Sequence, residues 1–365
     1  MNKVILIILL FCLLLSFTPL QSQTARPAIL YDIRSLGMGG VGVASAKGAY
    51  SYIYNPALLT QERFTLSIPG LEAEIGQKFL DLLDFVVDNQ ENFRKLNKSS
   101  MYVSHEEKAE IIKDLRAGGA EFDNIWHRGK ISPAIGIVFK NFAFSVYNIS
   151  QFAGKIDVGI IVPKVEVQAI NDLVFSFGYG RQINEKLAMG VGLKLINRNE
   201  SPIIKLQVEE MSDMNEIIDE GLEDMEEQKK GYGFDIGAIY SLTPKLQVAA
   251  MAQDILGDVE DIATPFNFKL GMQYLYNQDL VLAADIEDFF NRDGDKFVNK
   301  IYLGGEYRYS VFRMRLGFGQ GYPSVGLGLD FRIVKLDYAY FTRELADSPG
   351  SRGESYHRVG LGLGW

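Results

Sequence analysis

From Ile131 onward, apolar and polar residues alternate with a period of two. The clearest case is Ser324 to Ile333. Val325, Leu327, Leu329, Phe331 and Ile333 fall on one face, and Ser324, Gly326, Gly328, Asp330 and Arg332 on the other. Successive side chains of a strand point to opposite faces, so this pattern describes strands with one apolar face and one face of charge and glycine. The same split recurs in Phe312 to Gly319, in Leu187 to Leu195 and in the final run, where Val359, Leu361, Leu363 and Trp365 oppose Arg358, Gly360, Gly362 and Gly364. Fourteen such segments can be marked, from 63–70 and 131–139 through to 334–343 and 355–365. Connections after even-numbered segments are short and most of those after odd-numbered ones are long. Short turns at one end and long loops at the other are the signature of a transmembrane barrel with both chain ends on the turn side. The reading is all-β: a 14-stranded antiparallel transmembrane β-barrel.

Two stretches keep a helical period. Gly76 to Leu96 spaces Phe79, Leu82, Leu83, Val86 and Phe93 along one side, and Ser104-x-x-Glu107 opens a second helix to Arg116. They sit in the first long loop and predict short extracellular helices with apolar stripes, able to cover the mouth. Glu209 to Glu227 is strongly acidic with an apolar helical stripe, the pattern of an amphipathic helix with a solvated face.

Composition sharpens the class. The first residues carry one Lys, an apolar run from Val4 to Phe17, and then Pro19 and Ser22, which describes a signal peptide over 1–22. The single Cys12 lies inside it, so the exported chain has no disulfides. There are 36 Gly, 23 Phe and 18 Tyr. Tyr240, Tyr276, Tyr309, Phe331 and Trp365 fall near the short-turn ends of outward faces, where a membrane-interface girdle belongs. The expected location is the cell outer membrane, with outer-membrane lipid as a partner. A net charge of −9 argues against nucleic acid. His105, His127 and His357 lack metal-ligand spacing, and no nucleophile motif or phosphate loop is present, so neither an enzyme nor a cofactor or metal is expected.

The inward faces carry both signs. Asp285, Glu287, Glu306, Arg308, Arg313, Arg315, Asp330, Arg332 and Arg358 predict a cross-linked, water-containing lumen, with a selectivity ring as the sharper alternative. Asp285 and Glu287 share a strand face and read as two lumen charges before they read as a catalytic pair.

Ahead of the first strand stands Ser35 to Thr60, SLGMGGVGVASAKGAYSYIYNPALLT. It is too glycine-rich for a regular element and too apolar for a solvated linker. Gly37-Met38-Gly39-Gly40, Gly42 and Asn55-Pro56-Ala57 resemble the amino-terminal hatch of the FadL/TodX/PorV-type outer-membrane proteins. That superfamily includes fatty-acid and aromatic-hydrocarbon transporters and the PorV-type proteins of a bacterial secretion system. The resemblance implies a hatch over 23–62 folded inside the lumen, with those eight residues in gating, and a barrel over 63–365 with helical insertions at 71–130 and 198–230. It implies passive uptake of hydrophobic small molecules, of the fatty-acid or hydrocarbon class. The alternative is a PorV-like barrel that serves as a platform or shuttle for exported proteins. In the transporters part of the path leaves sideways through a kinked strand; Gly154 and Gly159, near the third strand here, read first as loop glycines and second as such a kink. The stretch is expected to be buried, with Asn55 bonded to backbone or lumen groups.

Overall fold

A computed structural model of the chain describes residues 30–97, 102–159, 163–201, 203–206, 228–292, 294–331, 333–345 and 350–364. The signal-peptide run, the acidic stretch 209–227, Arg332 and Trp365 lie outside the described residues.

Fourteen long strands form one closed antiparallel ring. They are β1 (Phe64–Gly76), β2 (His127–Phe139), β3 (Phe142–Asp157), β4 (Lys164–Gln182), β5 (Leu187–Glu200), β6 (Lys229–Ser241) and β7 (Leu246–Gln253), followed by β8 (Asn267–Leu275), β9 (Leu280–Ile286), β10 (Ile301–Tyr309), β11 (Phe312–Gly319), β12 (Tyr322–Asp330), β13 (Val334–Glu344) and β14 (Gly353–Leu363). Each pairs with its sequence neighbours, and β1 pairs with β14 to close the ring. The alternation of the sequence becomes alternation of burial. In β11, Phe312, Met314, Leu316 and Phe318 are exposed on the outside, Leu316 by 68%, while Arg315 on the inner face is buried. Exposed apolar side chains of this size would be untenable in water and are natural against lipid. Phe139, Phe142, Tyr240, Tyr276, Tyr309, Phe312 and Phe331 stand exposed at the short-turn end.

β1 is longer than the sequence suggested. Pro69-Gly70 looked like a strand end. The pairing with β2 instead shifts by one residue between Ser67 and Gly70 and then continues to Gly76. This is a bulge, one of the few places a strand tolerates proline. The extra residue flips the alternation. Thr65 and Ser67 face inward below the bulge, Glu72 and Glu74 above it. The first insertion therefore begins at Gln77 rather than 71, and β2 begins at His127 rather than 131. On its other side β1 pairs with β14 over Leu71–Gly76, and below that meets it at a single bridge, Ser67 to Gly364. Neither glycine kinks the third strand: Gly154 pairs with Val167 in an unbroken β3–β4 ladder, and Gly159 lies beyond the strand, as a loop glycine.

The insertion after β1 folds as α3 (Gln77–Asp88), α4 (Gln90–Asn97) and α5 (His105–Gly119), with the Ser104 side chain accepting from the Glu107 N–H as the capping pattern predicted. Two earlier helices, α1 (Ile33–Gly37) and α2 (Ser51–Tyr54), belong to the amino-terminal segment. Leu82, Phe93, Ile111, Leu115 and Phe122 form a core with Ile156 of β3 and Val165 of β4. By alternation Ile156 and Val165 share the face of Phe144 and Phe177, which look outward. The packed face of these helices thus lies against the outside of the wall at its loop end, and not over the mouth.

Candidate functional site

The remaining cores all join the amino-terminal segment to the inside of the barrel. Tyr52, Ile53 and Leu59 pack with Val138, Tyr147 and Val174. Val43, Ala57 and Leu58 pack with Ile239 and Met251. Ile33 and Leu36 pack with Phe341 and Tyr356, and Met38 and Val41 with Ala283. Residues 30–62 therefore form a plug inside the ring of strands. Met38, Val41, Asn55, Ala57 and Leu59 are fully buried.

The wall is shaped to receive this backbone. A side chain at Gly304, Gly317 or Gly319 would run into the main chain of Met38 and Gly39, and one at Gly190 would run into Pro56. Gly237 leaves room for the amide of Asn55. On the plug side, Gly39 (φ 81°) and Gly40 (φ 104°) hold a conformation that other residues rarely take. Gly190, Gly237, Gly304, Gly317 and Gly319, all on inward strand faces, are seats of the plug.

Asn55 is the best-connected plug residue. Its Nδ2 donates to the carbonyls of Val43 (3.0 Å), Ala238 (3.3 Å) and Ala250 (3.3 Å), and its Oδ1 accepts from Ala57 N (3.0 Å). It thus caps the 3₁₀ turn Pro56–Gln61, where Pro56 needs no donor, and ties that turn to β6 and β7. Tyr52 donates to the Ser176 carbonyl and shares a hydrogen bond of 2.5 Å with Ser145. Burial pushes its hydroxyl up to about 12, against the pull of those bonds.

The predicted lumen charges are gathered into three groups. Asp285 has no ion pair among the described residues. Its Oδ2 accepts from the backbone N–H of Gly42 (2.6 Å) and Val43 (2.9 Å) of the plug, while Glu287 pairs with Lys269 at 2.8 Å. Glu306 is the hub of the second group, held by Arg34 of the plug and by Arg308 and Arg315 of the wall, each at 2.9 Å. Arg315 continues to Asp337 at 2.5 Å, and Arg313 reaches Asp330 at 3.3 Å. In the third group Arg358 binds Glu72 and Glu74, and Glu74 also takes Arg343 at 2.6 Å. Arg34, Glu72, Glu74 and Arg343 escaped the sequence reading. The two glutamates lie past Pro69-Gly70, which by composition predicts the end of the first strand, although Leu71 to Ile75 keeps the alternation.

Two cavities flank the plug. One, of about 250 Å³ near the loop end, is lined by Tyr31, Leu36, Tyr302, Tyr322 and Phe341 and by the backbone of Gly39 and Gly40. The other, of about 380 Å³ toward the short-turn end, lies between the plug, the β10–β13 wall and the β1–β14 seam. Among the described residues no cluster of His, Cys, Asp or Glu is arranged to hold a metal.

A family model described as "F plasmid transfer operon, TraF, protein" matches residues 52–284, which spans the end of the plug and the wall through β9. The chain belongs to this TraF family. Solved structures supply the architectural comparison. The toluene transporter TodX of Pseudomonas putida overlays the TraF-family chain with a TM-score of 0.52 at 13% identity, covering 94% of this chain and 99% of that one. A TodX monoaromatic hydrocarbon channel carrying the deltaS2 mutation gives 0.54 at 13% identity, covering 92% and 97%. At such identities the likeness is one of fold, and this TraF-family member has the barrel fold of TodX. No curated protein matches the sequence.

Proposed function

We propose that this barrel is a passive outer-membrane transport protein for hydrophobic small molecules. The ligand enters from the loop end, rests in the aromatic cavity against Gly39 and Gly40, and passes when the plug shifts. The observation that carries this reading is the cavity itself. Four aromatic rings and Leu36 surround about 250 Å³ beside the plug, and an apolar cavity of about 150 Å³ suffices for benzene. Glu287, Gln320, Ser324, Thr342 and Arg343 on the same wall supply the polar groups that orient a ligand. Gly37, Met38, Gly39, Gly40, Gly42, Asn55, Pro56 and Ala57 are the proposed gating set, because they form the plug backbone inlaid in the wall.

The test is uptake of the fluorescent apolar probe N-phenyl-naphthylamine by cells with the chain in their outer membrane. Uptake is expected to exceed that of cells lacking the chain. It should fall several-fold in Tyr302→Ala/Phe341→Ala, which spoils the aromatic wall. Equal uptake with and without the chain would overturn the proposal.

The second reading, a platform for exported proteins, draws on a separate observation. Leu80, Leu83 and Val87 of α3 are exposed at i, i+3 and i+7, opposite the packed face. It is favoured if probe uptake is unchanged while removal of the chain leaves exported proteins stranded in the periplasm.

A further inference from the structure

The cavity at the short-turn end has a different chemistry from the aromatic one. Six cationic and five acidic side chains line it. Two of the acids are spoken for elsewhere. Asp32 accepts from the N–H and hydroxyl of Ser35 at the start of α1, and Glu72 is held by Arg358 from outside the cavity wall. Three carboxylates then face six cations. Glu306 alone is divided among three guanidiniums.

The shortfall is visible atom by atom. Arg34 spends Nε on Glu306 and Nη1 on the Ser45 carbonyl, while its Nη2 is buried without a hydrogen-bond partner. Lys47, on the plug, has no ion-pair or hydrogen-bond partner among the described residues, and neither has Lys335 across the cavity on β13. A buried guanidinium N–H without an acceptor is a costly group that proteins ordinarily satisfy. The Lys47 ammonium is held down to about 8, first by loss of solvent around it and then by repulsion from Arg308 and Arg34; Glu306 and Glu62 only partly offset this. The wall between these groups is bare: the inner side of Gly362 meets only Lys335 Cβ, at 3.9 Å.

We infer that this cavity is an oxyanion-binding site, in which Lys47, the free edge of Arg34, Arg308 and Lys335 take a carboxylate or phosphate group. A planar or tetrahedral oxyanion supplies the acceptors these donors lack. The site is on the opposite side of the plug from the aromatic cavity and does not depend on the transport reading. Its occupant would bridge plug and wall, since Lys47 and Arg34 belong to the one and Arg308 and Lys335 to the other.

The test is equilibrium binding to the full exported chain in non-ionic detergent, with benzoate, inorganic phosphate and benzyl alcohol as probes. Benzoate or phosphate is expected to bind saturably, at least tenfold more weakly to Lys47→Gln and to Arg308→Gln, and more weakly at 0.5 M salt. Affinity should fall as pH rises past about 8, where Lys47 loses its proton, and this slope should vanish in Lys47→Gln. Binding of both anions assigns a free oxyanion site, and binding of benzoate alone a carboxylate on an apolar body. Benzyl alcohol, which has the same ring without the charge, should show no dependence on Lys47. The proposal is overturned if neither anion binds, or if Lys47→Gln binds them as well as the parent. The unboiled gel mobility of each variant reports an intact barrel.

Discussion

Asn55 meets four backbone groups with one amide. Its two N–H bonds are spread over three carbonyls from the plug, β6 and β7, and its oxygen closes the turn that follows. Asn55→Ala is expected to cost about 2 kcal/mol, since it strands buried carbonyls and an N–H whose neighbours cannot move to them. Hydrogen exchange should show faster opening of residues 51–61 while the strand amides stay protected. Asn55→Asp keeps the acceptor but sets a carboxylate against three carbonyls, and should be worse than alanine. Lys47 gives the opposite kind of signal. Its folded-state pKa lies below the unfolded value, so the unfolded chain binds the extra proton between about 8 and 10.5. Stability should therefore rise with pH through that window. Melting curves of the parent and Lys47→Met, compared from pH 7 to 10.5, should converge at the alkaline end.

At the level of elements, the strands were legible because lipid and lumen demand opposite chemistries. Each residue pair in β11 or β12 declares its face, and the helices announced themselves by period and by Ser104. What the sequence hid is where neighbours have to be known. Pro69-Gly70 has the same composition in a turn as in a bulge, and only the pairing with β2 tells them apart. The seats of the plug were equally silent, since a lumen-facing glycine opposite solvent and one opposite Gly39 look alike in one dimension. The wall partner of Arg34 and the plug partners of Asp285 lie more than 200 residues away. The seats make a sharp contrast between two glycines of the wall. Gly317→Ala collides with the backbone of Met38 and Gly39, which cannot give way like a flexible side chain, whereas Gly362→Ala meets nothing closer than 3.9 Å. In planar bilayers Gly317→Ala should raise conductance or noise by unseating the plug, and Gly362→Ala should behave as the parent. Equal behaviour would mean that the plug does not close the pore.

The whole molecule is two bodies joined by charge and by inlaid backbone. The Arg34–Glu306 pair and the Asp285–amide contacts cross from plug to wall in the buried lumen, where a lone charge is far more costly than a pair. Glu306→Gln leaves three guanidiniums sharing a neutral amide and is expected to destabilise by about 3–5 kcal/mol. In a double-mutant cycle with Arg34→Met the coupling should be about 1–3 kcal/mol. Thermal denaturation followed by heat-modifiable gel mobility measures both. Additivity within about 0.5 kcal/mol would show that plug and barrel are energetically separate.

The ring of strands also has a clasp. β1 and β14 share one ladder from Leu71 to Gly76, and below the bulge, among the described residues, the ladder shrinks to a single bridge between Ser67 and Gly364. The laddered half of this closure is backed from inside by the plug, with Ile33 lying against Gly360 and packing with Tyr356 of the same strand. Ring closure brings together the two most distant strands of the chain, so it carries the largest loop entropy of any pairing in the barrel. The plug, joined directly to β1, shortens that search by carrying a surface that β14 can dock on before its ladder forms. The amino-terminal segment is thus expected to assist its own barrel's assembly, and its loss should show first as chains that reach the membrane as an open, protease-sensitive sheet.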